Sequence, residues 1–179
     1  GALDKALAAA NYTELRAEQA RRRAAGDQKQ LGIGVSVYVE ITGGVPPMSE
    51  AAKIEVLENG RAVVYTGTSP HGQGHATSWS MIAAEQTGIP MDMIDLVWGD
   101  TDLVPVGGGT MGSRSLQQGG AAVNQVSIEL VDNAKKIAAR LLEANEADVV
   151  LDKDRAVFHV AGTPAVAKSW ADIAVSMKG

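Results

Sequence analysis

The feature that most constrains the fold is a glycine-rich stretch at residues 99–120, GDTDLVPVGGGTMGSRSLQQGG. It separates a strand pattern at 93–98 from a long helical pattern that runs to about residue 144. Structureless connections of more than about 12–15 residues are uncommon in compact domains, and those that occur are usually functional or disordered. The stretch is therefore a candidate binding loop.

The order of the remaining patterns predicts an α+β fold, with a mixed sheet and hairpins packed against helices. Reading along the chain gives helix, three strands, helix, strand, long loop, helix, hairpin and helix, which differs from the strict strand–helix alternation of a doubly wound sheet. Residues 1–25 are rich in helix formers and are predicted to form two helices. Residues 11–13 divide these helices, with Thr13 as the cap of the second and Gly26 as its end. Residues 31–40 alternate apolar and small or polar side chains, which predicts a strand.

Two hairpins and two further helices complete the predicted elements. Asn59-Gly60, after a loop at 42–50, joins strands at 53–57 and 62–66. A helix is expected over 75–86, with Gly88 as its stop. The second hairpin joins 149–151 to 156–160, and the last helix starts at Ser169, where Asp172 completes a capping box.

Composition excludes several classes of protein. The 179 residues predict a single domain with helices at 1–25 and an α+β body at 31–179. The absence of cysteine excludes disulfides, Cys-ligated iron–sulfur clusters and a Cys nucleophile, and it favours a cytoplasmic protein. The net charge of −5 argues against nucleic-acid binding, and Arg21–Arg23 is interpreted as a solvated helix face or a docking surface. No apolar run approaches the roughly 20 residues that span a bilayer.

The first chemical segment is TSPHGQGH at residues 68–75, at the start of a predicted helix. Gly72 and Gly74 allow the backbone to approach a flat ligand, and Gln73 offers both hydrogen-bond donors and an acceptor. Unpaired amides at a helix start favour anions. A plain strand-to-helix turn remains an alternative. So does a zinc site at His71 and His75, although no third ligand is apparent in the sequence.

The second chemical segment is GGGTMGSRS at residues 107–115. Glycine-rich backbone makes anion-binding concavities, and Arg114 could grip a phosphate with two hydrogen bonds. The segment is neither a Walker A loop, which needs lysine where Ser113 stands, nor a dinucleotide fingerprint. A flexible surface loop is the alternative. Asp100 and Asp102 could hold a divalent metal with a nucleotide sugar, but capping of the turn after the strand is favoured.

In this order and spacing, GTSPHGQGH, WGDTDLVPVGGGTMGSRS and the helix after them resemble the molybdenum hydroxylase family. This is the large-subunit class of xanthine dehydrogenase, aldehyde oxidoreductase and aerobic carbon monoxide dehydrogenase, and GSRS is most similar to the carbon monoxide dehydrogenase-like branch. The resemblance covers nearly the whole chain and matches the second molybdopterin-binding region.

The resemblance implies that the two segments bind molybdopterin with its molybdenum, in bacteria often as the cytosine dinucleotide. From the first segment, Gln73, Gly74 and His75 would face the cofactor. From the second, the residues carried over by motif position are Thr110, Gly112, Ser113, Arg114 and Ser115.

The resemblance also implies that this chain is a piece of a larger enzyme and is inactive alone. The family's catalytic glutamate lies in a later segment, so no catalytic residue is assigned here. Expected partners are the rest of the large subunit, iron–sulfur and FAD subunits or domains, and a small-molecule substrate that this chain does not identify. A stand-alone module that binds a phosphorylated small molecule is the alternative.

Overall fold

The structure, a computed structural model, describes residues 1–43 and 49–178, and divides into two compact units, Gly1–Val39 and Glu40–Gly179. The prediction of one domain over 1–179 stays a prediction. No helix in the described ranges is both long enough and apolar enough to cross a membrane.

The first unit contains two helices, α1 (Ala2–Ala9) and α2 (Tyr12–Ala25), as the sequence predicted. Gly26 ends α2 in the left-handed conformation with φ 66°, which glycine adopts without steric cost. The predicted cap Thr13 is wrong, because α2 already begins at Tyr12 and Asn11 is its N-cap.

The basic cluster in α2 is partly neutralised on the helix surface. Glu18 accepts hydrogen bonds from Arg21 at 2.7 Å and from Arg22 at 2.7 Å. These bonds lower the pKa of Glu18 to about 2. The cluster is therefore consistent with the predicted solvated face.

The strand predicted at 31–40 is not formed. These residues have no secondary structure, and the side chains of Val35, Val37 and Val39 are 61%, 78% and 94% exposed. An alternating pattern gives a segment one apolar face, but a strand also needs a neighbour to pair its amides and carbonyls. In the described part of the chain, no strand pairs with this segment.

Within its described residues, the second unit contains two three-stranded sheets. The first consists of β1 (Ala52–Val56), β2 (Ala62–Thr66) and β3 (Ile94–Val97), in that order; β1 and β2 are antiparallel, and β2 and β3 are parallel. The second is the antiparallel β4 (Val149–Asp152), β5 (Val157–Val160) and β6 (Thr163–Ser169). Both predicted hairpins are confirmed, and so is the α+β class. Strand β6 was not predicted, because Pro164 weakens the strand pattern of this segment.

In the part of this unit that the structure describes, the α-helices beside the sheets are α3 (His75–Thr87), α4 (Gly120–Leu141) and α5 (Trp170–Ser176). A π-helical turn, Ser115–Gly119, leads into α4. Gly88 ends α3 as predicted, and Ser169 and Asp172 form the predicted capping box of α5. Of the loop predicted at 42–50, residues 44–48 lie outside the described residues.

The core of the second unit lies between the sheets and helices α3 and α4. Trp79 and Ala83 of α3 and Val123 of α4 are fully buried against Val64 of β2. Full burial of one such large apolar side chain stabilises a fold by about 1.5–3 kcal/mol. This shared core packs α3 and α4 against the first sheet.

Candidate functional site

The two glycine-rich segments come together because they leave neighbouring parallel strands. Tyr65 of β2 pairs with Val97 of β3, so both strands end at the same edge of the sheet. The first segment continues β2 and the second continues β3. Crevices at the carboxyl ends of parallel strands are common ligand sites in proteins. The loops are named here the first loop (residues 67–74) and the second loop (residues 98–114).

The hydroxyl of Thr110 joins the two loops. It accepts a hydrogen bond from the Ser69 amide at 2.8 Å and donates one to the Ser69 carbonyl at 2.6 Å. It also accepts a bond from the Ser115 hydroxyl at 3.2 Å. Gly109 adds a backbone bond to the Gly67 carbonyl at 3.3 Å. The loops therefore form one connected structure.

A cavity of about 470 Å³ lies between the loops. This volume is within the range of about 300–1,000 Å³ that is usual for small-molecule sites. Seven of the eight site residues predicted from the sequence line it, and Gly74 stands next to it in the chain. The full lining is Gln73, His75, Thr110, Met111, Gly112, Ser113, Arg114, Ser115 and Leu116.

The first loop presents hydrogen-bond donors to this cavity. Gly74 is the N-cap of α3 in the left-handed conformation, and it provides no side-chain cap for the first-turn amides. The side-chain oxygen of Gln73 (Oε1) accepts a bond from the His71 backbone amide, which fixes the orientation of the Gln73 side-chain amide. His75 lies against the buried Trp79 ring at 5.4 Å, and its Nδ1 is buried without a partner among the described residues. An unpaired buried nitrogen of this kind fits a site that a polar ligand completes.

The second loop presents mainly backbone groups. Ser113 has a φ of 56°, a left-handed conformation that is uncommon for residues other than glycine and often marks a functional site. The amides of Gly112 and Ser113 form no hydrogen bond to another described residue. Successive free amides in a turn make a concavity that binds anions.

Arg114 and Ser115 are less accessible than the sequence suggested. Ser115 is 3% exposed, and its carbonyl accepts a bond from the Trp79 indole at 3.4 Å. The Arg114 side chain is 1% exposed and pairs with the carboxylate of Glu50 at 3.2 Å. The predicted direct contact between Arg114 and a phosphate stays a prediction, and the burial of its guanidinium weighs against it.

The acidic pair after β3 caps a turn, as the sequence favoured. Asp100 Oδ1 accepts bonds from the amides of Asp102 at 2.9 Å and Leu103 at 3.2 Å. The described residues contain no group of three or more His, Asp or Glu side chains that could hold a metal ion. His71 and His75 are therefore not part of such a group.

Sequence reasoning missed Glu50, Ser69, Met111 and Leu116. Met111 lies between predicted residues of the second segment and Leu116 directly follows its last residue, so contiguity alone could have included them. Ser69 lies within the first quoted motif, but it acts through its backbone, which a motif does not reveal. Glu50 lies in a segment without a recognisable motif, and only the fold brings it to Arg114 and the second loop.

Comparison with known proteins gives a consistent result. The model of the molybdopterin cofactor-binding domain matches residues 5–178. The carbon monoxide dehydrogenase large chain of Hydrogenophaga pseudoflava is 39% identical over 97% of this chain. A solved carbon monoxide dehydrogenase from Oligotropha carboxidovorans is 35% identical over 95% of this chain, with a TM-score of 0.68. Quinoline 2-oxidoreductase from Pseudomonas putida 86 is 29% identical over 96% of this chain, with a TM-score of 0.66.

In each case the chain spans only about a fifth of the relative, namely 22% of its length. The fold, the meeting of the two loops and the match over residues 5–178 agree with one another. The resemblance inferred from the two glycine-rich segments is thus confirmed, and the chain belongs to the molybdopterin cofactor-binding domain family.

Proposed function

We propose that this chain holds molybdopterin in the cavity between its two loops, as part of the large subunit of a molybdenum-dependent oxidoreductase. The observation that carries the proposal is the convergence of the loops at the carboxyl ends of β2 and β3. Both come from the segments that carried the family resemblance. When bound, the cofactor supplies a redox-active molybdenum centre, and this chain supplies its binding and orientation.

The donors around the cavity fit a flat heterocycle with a phosphate tail. Gln73 provides a side-chain amide and His75 an unpaired ring nitrogen, which suit the mixed donor and acceptor edge of a pterin. The first-turn amides of α3 and the free amides of Gly112 and Ser113 suit an anionic phosphate. The cytosine dinucleotide form is part of this proposal, since an extended ligand would use both loops.

The wider assignment follows the chain's relatives. Its match to about a fifth of their length supports an oxidoreductase in which the catalytic residue, the iron–sulfur clusters and FAD lie outside this chain. We expect no turnover from the chain alone, and the small-molecule substrate is set elsewhere. A cytoplasmic location belongs to the same proposal.

The test compares two glutamine variants in the assembled enzyme. Gln73→Ala removes the side-chain amide at the cavity and should lower the molybdenum and pterin content per enzyme. Gln125→Ala is the matched control, because Gln125 pairs with Glu129 on the surface of α4. Acid hydrolysis that releases cytidine monophosphate would support the dinucleotide form. Purified enzyme without molybdenum or pterin would refute the proposal.

The alternative is a stand-alone module for a phosphorylated small molecule, which the same free amides would also suit. It predicts that the chain purifies without larger partners and binds a phosphorylated ligand alone. Copurification with iron–sulfur and flavin proteins would exclude it.

A further inference from the structure

Beneath the second loop lies an ion pair that is shielded from solvent. The guanidinium of Arg114 and the carboxylate of Glu50 are 3.2 Å apart, and their side chains are 1% and 0% exposed. Charges so deeply buried are rarely found without a specific arrangement of partners around them.

The donors of the Arg114 guanidinium are directed mainly at other parts of the protein. An arginine side chain offers five N–H groups; those of Arg114 make four hydrogen bonds within the protein, and Glu50 lies at ion-pair distance from Nη1. Besides Glu50, the acceptors are the side-chain oxygen of Gln118, at 3.2 Å and 2.9 Å, and the carbonyls of Gly109 at 3.2 Å and Ser49 at 2.7 Å.

Glu50 in turn binds the backbone of the second loop. Its carboxylate accepts the Gly108 amide at 3.2 Å and the neighbouring Ala51 amide at 3.1 Å. The pair fills space that a larger residue at position 108 would occupy, because a Cβ there would lie 2.6 Å from the central carbon of the guanidinium. The pair therefore fixes the loop through its backbone at residues 108 and 109.

We propose that Glu50 is a positioning residue for the cofactor and that Arg114 is its partner in this task, not a phosphate ligand. The two side chains hold the second loop so that its neutral groups, the amides of Gly112 and Ser113, bind the anion. This inference rests on the proposed function, because it assumes that the anion belongs to the cofactor. Of the described residues that line the cavity, Arg114 carries the permanent positive charge, and Glu50 already compensates it.

The two possible roles of Arg114 predict opposite effects of removing Glu50. If Arg114 binds phosphate, Glu50→Gln frees a positive charge and should leave cofactor binding unchanged or stronger. If the pair positions the loop, Glu50→Gln leaves a buried charge without a partner and should disorder the loop. Replacement of both charges should then weaken cofactor retention by less than the sum of the effects of the two single replacements.

The experiment measures cofactor release from the assembled enzyme for Glu50→Gln, Arg114→Gln and the double variant. We expect each single variant to release molybdenum and pterin faster by on the order of tenfold or more, and the double variant to recover part of this loss. The control is the exposed pair of Arg61 and Asp95, whose neutral replacement should not change release.

A fourth variant keeps the inference testable if the neutral single variants do not assemble. Arg114→Lys retains the charge but offers three donors from one point, so it cannot replace the four hydrogen bonds of the guanidinium. We expect it to lose cofactor as Arg114→Gln does. Wild-type retention in Glu50→Gln or in Arg114→Lys would overturn the inference, as would losses that simply add in the double variant. Absence of molybdenum from the wild-type enzyme would instead refute the proposed function.

Discussion

The hydroxyl of Thr110 offers the sharpest test of how the two loops are joined. Thr110→Val keeps the shape of the side chain and removes the hydroxyl, whereas Thr110→Ser keeps the hydroxyl and removes a methyl group. Because the hydroxyl makes both bonds to Ser69, the valine variant should be the less stable of the two.

The size of the effect follows from the bonds that are lost. Two hydrogen bonds to the Ser69 backbone, each with a net contribution of about 0.5–1.5 kcal/mol, give a loss of about 1–3 kcal/mol for Thr110→Val. The longer bond from Ser115 adds little. Thr110→Ser should cost no more than about 0.8 kcal/mol, the value of one buried methylene-sized group, because Thr110 is only partly buried.

Urea and thermal denaturation of the 179-residue chain would measure both variants. For a chain of this length, 1 kcal/mol corresponds to roughly 2–4 °C, so the valine variant should melt about 2–12 °C lower. Thr101→Val is the control, since Thr101 is an exposed residue of the same loop. A valine variant as stable as the serine variant would refute the idea that this hydroxyl joins the loops.

Three other changes probe the surroundings of the site, the core and a helix cap. In Gly67→Ala the new Cβ would lie 2.8 Å from the Val106 carbonyl, so urea denaturation should show a loss of about 1–3 kcal/mol, whereas Gly34→Ala meets no atom within 4 Å and should be neutral. Thr87→Val leaves a buried amide two residues later without its acceptor, and the same measurement should show a loss of about 1–3 kcal/mol. The hydroxyl and amide of the serine that caps α5 lower the pKa of Asp172, so this carboxylate stabilises the fold above its unfolded pKa, and the contribution is lost as pH falls. Asp172→Asn should therefore flatten the acid side of a plot of melting temperature against pH, and an unchanged plot would contradict the assignment.

Local chemistry was sufficient to predict most of the elements of the second unit. Asn59-Gly60 marked a hairpin because a tight turn needs residues that accept positive φ, and Gly60 has a φ of 80°. Ser169 and Asp172 marked a helix start because their side chains satisfy amides within four residues of one another. Such signals depend on near neighbours in the chain, which a sequence displays directly.

Predictions that required a distant partner were less successful. Residues 31–40 carry a clear alternating pattern but no paired neighbour in the described structure, so the pattern alone gave the wrong element. The reverse holds for β6, which has a weak pattern but pairs along β5. Strand formation depends on the partner, and a single sequence does not show which segments lie side by side.

The same distinction explains what the sequence revealed of the site. The backbone-based signal, glycines at the start of helices, was sufficient to identify both loops, because it requires no information about the rest of the fold. The role of Arg114 was different, since an arginine beside glycines suggests a phosphate ligand only if its charge is free. Glu50 lies far from Arg114 in the sequence and removes that freedom by pairing with it in the interior. A buried partner thus changes what a charged side chain can do, and in our proposal the phosphate accordingly lies at the neutral amides of the second loop.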